Sequence, residues 1–418
     1  MFEAFSVVLA MAAVFSWINN RYLKLPSTIG MMLLALLGAS LTIALRGVYS
    51  GAYEFLCSLV QHLDFRVLVL DIMLSFMLFA GAMHVDITKL NKQRLPVFLF
   101  ATLGVLISTA VVGLLLKLGA GLLAVDLTLL ECLLFGALIS PTDPIAVLAL
   151  LQKAGISEDL QLEIEGESLF NDGVGVVVFT VLLTLAGYGS GHGGGEHEAL
   201  TAASIGGIFA KEALGGLVWG LALGWIGFRM MRSSREDAQT VVLVTLAVVM
   251  GGYGGAMQLG LSGPLAMVAA GLYIGSSSCA ASLSEGSYRF LEDFWEMLDE
   301  ILNAILFVLI GLVLHTISPE WSWLILGGMA ILIVLIGRVI SAGSLFSLLS
   351  HDADRWKTVA VLSWGGLRGG ISVALVLGIP EESGQILLAV TYPVVVFSIL
   401  VQGLTIGPLI RKLKLGRS

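Results

Sequence analysis

Residues Ser140-Pro-Thr-Asp-Pro144 interrupt an apolar stretch of about residues 127–151. The two prolines lack backbone N–H donors and clash with the preceding helical turn, so they predict an unwound helix at this point. Irregular backbone within a lipid bilayer persists only where it is buried in protein or lines a cavity. If the surrounding sequence spans a membrane, the interruption therefore indicates a position that is buried in protein or lines a cavity.

The composition is that of a polytopic membrane protein. Hydrophobic residues make up 57% of the chain and charged residues 12%, with a mean hydropathy of +0.96, whereas soluble domains carry about 25% charged residues. Continuous apolar stretches disfavour a transmembrane β-barrel, whose strands alternate in polarity. Thirteen stretches are long enough to cross a bilayer as helices, at about residues 4–20, 26–45, 67–85, 95–118, 127–151, 163–187, 203–229, 238–257, 262–279, 290–314, 321–349, 356–378 and 385–410.

A second interruption, Ser363-Trp-Gly-Gly-Leu-Arg-Gly-Gly370, lies in segment twelve. Taken alone, its glycines are also explained by close helix packing. Segments five and twelve occupy corresponding positions if the six segments before and after segment seven are inverted repeats, an arrangement typical of secondary transporters. We therefore predict an all-α polytopic membrane protein of about 13 transmembrane helices, with inverted six-helix repeats and two broken crossing helices.

The predicted organisation is a single membrane transporter domain, residues 1–418, without a soluble regulatory domain. Repeat one covers about residues 1–187, a linker helix about 203–229 and repeat two about 238–410. Loops after odd-numbered segments, together with the tail, hold 16 Lys and Arg residues, and the loops on the opposite face hold 4. Because cytoplasmic loops carry the excess, the N-terminus is predicted outside and the C-terminus in the cytoplasm. The first segment lacks a cleavage site and is predicted to remain as a helix.

Segment six carries the candidate chemistry, in Gly166-Glu-Ser-Leu-Phe-Asn-Asp172. A carboxylate removed from water is costly unless it is protonated or paired, so Asp172 in an intramembrane stretch indicates function. Ser168 lies four residues before Asp172 and shares its helical face, whereas Glu167 and Asn171 form a parallel pair. With backbone near Thr142, Ser168 and Asp172 would supply the oxygen ligands that a small monovalent cation requires.

The remaining buried charges have structural interpretations. Glu167 needs a partner, and we predict a structural ion pair with Arg338, because removing either member would strand a buried charge; a role in transport is the alternative. Half-helix ends carry about half a charge each, so Asp143 would neutralise exposed N-termini and Arg368 exposed C-termini, with direct ion ligation as the alternative. Five acidic residues at the start of segment ten either attract cations or form a solvated helix start: Glu292, Asp293, Glu296, Asp299 and Glu300.

Five motifs together resemble the sodium/proton antiporters of the bacterial NhaP type and the related eukaryotic exchangers. They are Ser140-Pro-Thr-Asp-Pro144, Gly166-Glu-Ser-Leu-Phe-Asn-Asp172, Phe294-Trp-Glu296 with Asn303, Gly337-Arg338 and Gly365-Gly-Leu-Arg-Gly369. The resemblance implies a thirteen-helix inverted-repeat fold, a homodimer and elevator-like alternating access in the cell (inner) membrane. No cofactor is implied beyond the transported Na⁺ or Li⁺ and H⁺.

The resemblance also implies roles for individual residues. Asp172 is the shared cation and proton site, Asn171 and Ser168 organise it, and Thr142 and Asp143 complete it from the broken helix. Some relatives have a further acidic residue in segment three, where this chain reads Phe79-Ala-Gly81. Members that pair Asn with Asp usually exchange one cation for one proton, so electroneutral Na⁺/H⁺ exchange is expected, with K⁺/H⁺ exchange as the alternative.

Other function classes fit the sequence less well. A proton-translocating subunit of a larger complex would carry mid-membrane lysines, which the predicted segments lack, and a channel would show a repeated filter. An intramembrane aspartyl protease would need two facing aspartates, but Asp143 is flanked by prolines; no enzymatic activity is predicted. The stretch His192-Gly-Gly-Gly-Glu-His-Glu198 resembles a metal site in composition but is predicted to be a flexible loop. The three cysteines share no metal-binding spacing: Cys57, Cys132 and Cys279.

Overall fold

The structure, a computed structural model, describes residues 2–48, 50–62, 64–143, 156, 158–188, 202–317, 320–349, 355–379 and 381–413. Within these ranges the regular elements are helices, and an isolated antiparallel bridge joins Asp143 to Leu367. The α-helices are, in chain order, α1 Phe2–Ile18, α2 Ser27–Ala44, α3 Ser50–His62, α4 Leu74–His84, α5 Ile87–Leu90, α6 Arg94–Leu99, α7 Val105–Leu122, α8 Leu129–Ile139, α9 Glu158–Leu185, α10 Ala202–Ser233, α11 Ala238–Gln258, α12 Gly263–Ile274, α13 Ser277–Ala280, α14 Glu285–Val313, α15 Trp321–Leu349, α16 Arg355–Gly365, α17 Gly370–Leu377, α18 Glu381–Phe397 and α19 Gly403–Leu413.

The membrane-spanning pattern agrees with the prediction. In the described ranges, 10 helical stretches are long and apolar enough to cross a membrane, and each overlaps a predicted segment. The described part of segment five contains α8, segment nine contains α12, and segment twelve contains the pair α16 and α17. The predicted helical membrane fold with breaks in segments five and twelve is confirmed, and the inverted repeat stays a prediction.

Two features of the fold differ from the prediction, and two predicted stretches lie outside the described residues. Helix α3 was not predicted, because its polar residues keep it from reading as an apolar stretch. Segment nine was expected to reach residue 279, but α12 ends at Ile274 and a separate short helix follows. The core of the predicted histidine-rich loop, residues 189–201, and residues 144–155 after the first break lie outside the described residues.

Several spans contain π-helical turns, which hydropathy does not reveal. Among the described residues these are Asn19–Leu23, Arg66–Met73, Phe100–Gly104 and Ser398–Gln402. A π-helical turn is rare and often occurs at a functional site. The last of the four lies between α18 and α19, in the final span of the chain.

By internal contacts the chain forms two compact units. Unit one comprises Met1–Val69, Ile107–Gln161 and Ile301–Ser418, and unit two comprises Leu70–Leu106 and Leu162–Glu300. Unit one contains both helix breaks and both intramembrane arginines. Unit two contains Asp172 and the other polar residues of segment six.

In unit one, a capping box fixes the start of α8. Thr128 accepts the backbone N–H of Glu131 at 3.2 Å, and the Glu131 carboxylate accepts the backbone N–H of Thr128 at 2.7 Å. This reciprocal pair satisfies orphan donors of the first helical turn. The Glu131 carboxylate also accepts a hydrogen bond from the Ser383 hydroxyl, which joins the start of α8 to α18.

Unit two is built around α12, which packs through glycines. A Cβ on Gly271 would lie 2.5 Å from the Phe79 carbonyl oxygen and 2.7 Å from the Ala82 Cβ, so α12 and α4 approach more closely than any larger residue allows. The buried Trp295 donates its ring N–H to Thr245 Oγ1 at 3.0 Å, and its ring centroid lies 4.6 Å from that of Phe79. Close backbone contact of this kind is how helices associate in a membrane.

Candidate ion-binding site

The first break lies directly after α8. The helix ends at Ile139, where the Ser140 hydroxyl donates to the Gly136 carbonyl at 2.6 Å, and Pro141 and Thr142 have no regular structure. Thr142 is buried. The Asp143 backbone N–H then donates to the Leu367 carbonyl at 2.8 Å, which joins the first break to the second.

The second break separates α16 from α17 by four residues, Gly366–Gly369. A Cβ on Gly366 would lie 2.9 Å from Arg338 Nε and 3.1 Å from Thr142 Cγ2. A Cβ on Gly369 would lie 2.8 Å from the Asp143 Oδ2 atom. These glycines therefore let the second break lie directly against the first, which is a more specific role than general helix packing.

Arg368 links the two breaks through its side chain. It is only 2% exposed. One guanidinium nitrogen, Nη1, donates to the Ser140 carbonyl and to the Pro141 carbonyl, the latter at 3.0 Å. These carbonyls form the C-terminal end of α8, where the helix dipole is negative.

Two further charges lie at half-helix ends. The Asp143 carboxylate lies beside Gly369, which precedes the first residue of α17, and an anion is favourable at a helix N-terminus. Arg338 is buried in α15, and its Nε donates to the Leu362 carbonyl in the last turn of α16 at 3.3 Å. In unit one, positive side chains thus lie at two C-terminal ends and a negative side chain at an N-terminal end.

Segment six forms one continuous helix, α9, of 28 residues. It buries all four predicted polar residues, Glu167, Ser168, Asn171 and Asp172, and Asp172 is 8% exposed. Glycines flank this set on both sides. A Cβ on Gly173 would lie 2.5 Å from Leu265 Cδ2 in α12, so the residue next to Asp172 marks a close approach of two helices.

The predicted residues are therefore grouped in two sets. Unit one brings together Thr142, Asp143, Arg338 and Arg368, and unit two brings together Glu167, Ser168, Asn171 and Asp172. The common cation site and the ion pair of Glu167 with Arg338 would each combine residues of both sets. Both stay predictions.

Comparison with known proteins identifies the family. The transmembrane sodium/hydrogen exchanger family matches the chain over residues 8–412. The chain belongs to the sodium/hydrogen exchanger family. It is 40% identical over 431 residues to the Na⁺/H⁺ antiporter NhaP of Pseudomonas aeruginosa, covering 100% of this chain and 98% of that protein. It is 32% identical over 401 residues to the Na⁺/H⁺ antiporter NhaH of Halobacillus dabanensis, covering 94% and 93%.

The fold of this exchanger also matches a solved structure. The sodium proton antiporter MjNhaP1 from Methanocaldococcus jannaschii aligns with a TM-score of 0.75 at 20% identity, covering 100% of this chain and 99% of that one. The resemblance inferred from the five motifs is thereby confirmed at the level of family and fold.

The sequence prediction missed several polar residues of this exchanger that contact the breaks. The Ser372 hydroxyl in α17 donates to the Leu138 carbonyl at 2.8 Å, which ties α17 to the end of α8. The last span contributes Ser398, Gln402 and Thr405 to the second break. The available signal was the presence of polar side chains within an apolar span, which are costly there unless bonded.

Proposed function

We propose that this protein is a secondary active antiporter that exchanges a monovalent cation, Na⁺ or Li⁺, for H⁺ across the membrane. The observation that carries the proposal is Asp172, a carboxylate 8% exposed within a membrane-length helix of a sodium/hydrogen exchanger family member. The relatives from Pseudomonas aeruginosa and Halobacillus dabanensis are both named Na⁺/H⁺ antiporters.

Asp172 is the residue that binds the cation and the proton in turn. A charged carboxylate in a low-dielectric interior is stabilised by a proton or by a bound cation, and occupation by one displaces the other. Ser168, one turn earlier on the same face, adds a hydroxyl oxygen, and Asn171 organises the site. If the empty, charged site is too costly to carry through the hydrophobic barrier, only loaded states cross, and exchange is obligatory.

The broken helix supplies the second half of the site. Thr142 contributes an oxygen ligand from the unwound backbone, and Asp143 completes the site while it neutralises the N-terminal end of α17. Arg368 compensates the C-terminal end of α8 instead of contacting the ion, because its Nη1 group is already shared by two carbonyls. Glu167 pairs with Arg338, which leaves Asp172 as the titrating carboxylate.

The transport cycle follows from this division of roles. One carboxylate that exchanges one cation for one proton gives electroneutral transport, in an elevator-like movement of a homodimer. The chain lies in the cell membrane with the N-terminus outside and the C-terminus in the cytoplasm, and it serves pH homeostasis. A second candidate, K⁺/H⁺ exchange, rests on the same residues, because oxygen ligands accept either ion.

Everted membrane vesicles with a respiration-driven pH gradient test the proposal. Addition of Na⁺ or Li⁺ should collapse the gradient with the wild-type protein, and Asp172→Asn should reduce the collapse to the level of vesicles without the protein. Asp237→Asn is the matched control, because Asp237 is exposed at the start of α11 and asparagine preserves its capping role. Full exchange by Asp172→Asn would refute the assignment of the site.

The same vesicles separate the alternatives. Collapse by K⁺ but not by Na⁺ or Li⁺ would establish the second candidate. An imposed membrane potential should leave the exchange rate unchanged, because a one-for-one exchange moves no net charge. A rate that follows the potential would exclude electroneutral exchange.

A further inference from the structure

The final span contains a buried polar turn in an otherwise apolar helix. The π-helical stretch Ser398–Gln402 joins α18 to α19, and both of its end residues are buried, with Ser398 fully inaccessible. A polar side chain buried without a hydrogen bond costs free energy. Two such residues four positions apart therefore need partners, and the structure provides them at the second helix break.

Each partner is a backbone group that would bond within the helix if α16 continued through the break. In a continuous α-helix the N–H of residue 368 would bond to the carbonyl of residue 364. The break separates these groups. The Arg368 N–H instead donates to Ser398 Oγ at 2.8 Å, and Gln402 Nε2 donates to the Trp364 carbonyl at 3.1 Å. The two side chains thus replace both halves of one lost helical hydrogen bond.

A third contact fixes the same segment. The ring N–H of Trp364 donates to Thr405 Oγ1, in the first turn of α19, at 2.9 Å. The final span therefore holds Trp364, at the end of α16, and Arg368, within the break. All of these residues belong to unit one.

The segment from Trp364 to Arg368 also contains the part of the second break that contacts the first. Arg368 donates to the Ser140 and Pro141 carbonyls, and the Leu367 carbonyl accepts the Asp143 N–H at 2.8 Å. Thr142 lies between these two contact points in sequence. A shift of the segment would therefore move the backbone that carries Thr142.

We propose that Ser398 and Gln402 are positioning residues for the cation site, acting through Arg368 and Leu367 on the backbone around Thr142. This inference rests on the proposed function for its effect on transport, but its structural part does not. Loss of Ser398 removes the hydroxyl that the buried Arg368 N–H donates to, and loss of Gln402 removes the donor to the part-buried Trp364 carbonyl. Either loss favours conformations in which the break is displaced. The fraction of protein competent to bind the cation falls, and the apparent affinity falls by the same factor.

Hydrogen–deuterium exchange on the full-length protein in lipid nanodiscs tests the structural part. Ser398→Ala should speed amide exchange of the 364–370 segment about 5-fold or more. Removing the partner of a buried group typically raises the population of open conformations by about that factor or more. Ser398→Thr keeps a hydroxyl and should restore slow exchange. Thr391→Val is the matched control, because Thr391 is equally buried in α18 and its hydroxyl donates to the Leu387 carbonyl of its own helix, at 2.6 Å.

Transport kinetics test the positioning role. In the vesicle assay Ser398→Ala and Gln402→Leu should each raise the apparent KM for Na⁺ about 5-fold or more, with the maximal rate changed much less. Ser398→Thr should restore the KM, and Thr391→Val should leave it near the wild-type value. Gln402→Leu gives an independent reading if Ser398→Ala is poorly folded.

The outcomes are distinguishable. If the 364–370 amides exchange at the wild-type rate in both Ser398→Ala and Gln402→Leu, the claim that these side chains hold the break is overturned. Faster amide exchange with an unchanged KM, or a KM shift equal to that of Thr391→Val, would overturn the positioning role. If the proposed function itself is wrong, wild-type vesicles show no cation-evoked collapse, whereas the amide-exchange result is unaffected.

Discussion

Replacing Gly173 with alanine tests whether the close contact of α9 with α12 fixes the position of Asp172. A Cβ at this position would lie 2.5 Å from Leu265 Cδ2 and 2.8 Å from Leu265 Cγ. Carbon atoms in contact are about 3.5–4.0 Å apart, so the two helices or the leucine must move by about 1 Å. Leu265 is 2% exposed, so it has little space into which to move. The displacement therefore falls partly on α9 and carries Asp172 with it.

A matched glycine isolates the steric effect. Gly251 lies inside α11, and a Cβ there would meet nothing within 4 Å. Both Gly→Ala changes gain helix propensity of about 1 kcal/mol, whereas only Gly173→Ala adds overpacking, which costs about 1–3 kcal/mol. We therefore expect Gly173→Ala to be about 1–3 kcal/mol less stable than Gly251→Ala.

Thermal unfolding in detergent and the vesicle assay measure the two consequences. Gly173→Ala should unfold at a lower temperature than Gly251→Ala and should have a raised KM for Na⁺. Adding Leu265→Ala to Gly173→Ala removes the atoms in conflict and should recover part of the KM. The reasoning is refuted if Gly173→Ala matches Gly251→Ala in both stability and KM, or if Leu265→Ala makes the KM of the double variant worse.

Two further predictions follow from single contacts. Arg368→Lys keeps the charge but not the planar, two-bond geometry, so the Ser140 and Pro141 carbonyls lose donors. We expect the free energy of unfolding to fall by about 1–3 kcal/mol, with a lower unfolding temperature. An unchanged temperature would contradict the role of Arg368 at the end of α8. Cys279 is fully buried, and burial raises the pKa of its thiol to about 12, so it stays protonated at pH 8. Mass spectrometry of native protein treated with maleimide at pH 8 should find the half-buried Cys57 modified well before Cys279, and equal rates would show that the Cys279 region opens.

The membrane spans and both breaks could be predicted from sequence because their causes are local. A span requires about 20 apolar residues, and a break requires residues that cannot continue a helix. Prolines at 141 and 144 and the glycines around Arg368 meet the second condition without any knowledge of neighbours. Helix α3 failed this test because it is not apolar throughout. The assignment of Asp143 and Arg368 to half-helix ends could be proposed from charge alone.

The contacts that hold the breaks could not be predicted, because they depend on which helices are adjacent. Ser398 and Gln402 look like isolated polar residues of an apolar segment, and their spacing does not identify the Trp364 carbonyl or the Arg368 N–H as partners. No amino-acid composition distinguishes the π-helical turn that contains them. From sequence alone, Gly366 and Gly369 are likewise interpreted as glycines of general helix packing. Only the distances from their positions to Arg338 and Asp143 show the closer role.

The charges at the breaks of unit one match the helix ends beside them. Arg338 and Arg368 lie at two C-terminal half-helix ends and Asp143 lies beside an N-terminal end. Each side chain is thus opposite in sign to the dipole end beside it, which lowers the cost of burying the charge. Arg368 donates to two carbonyls through Nη1, and Arg338 donates to one through Nε. The proposed pairing of Glu167 with Arg338 would leave Asp172 as the single carboxylate that binds the cation and the proton in turn.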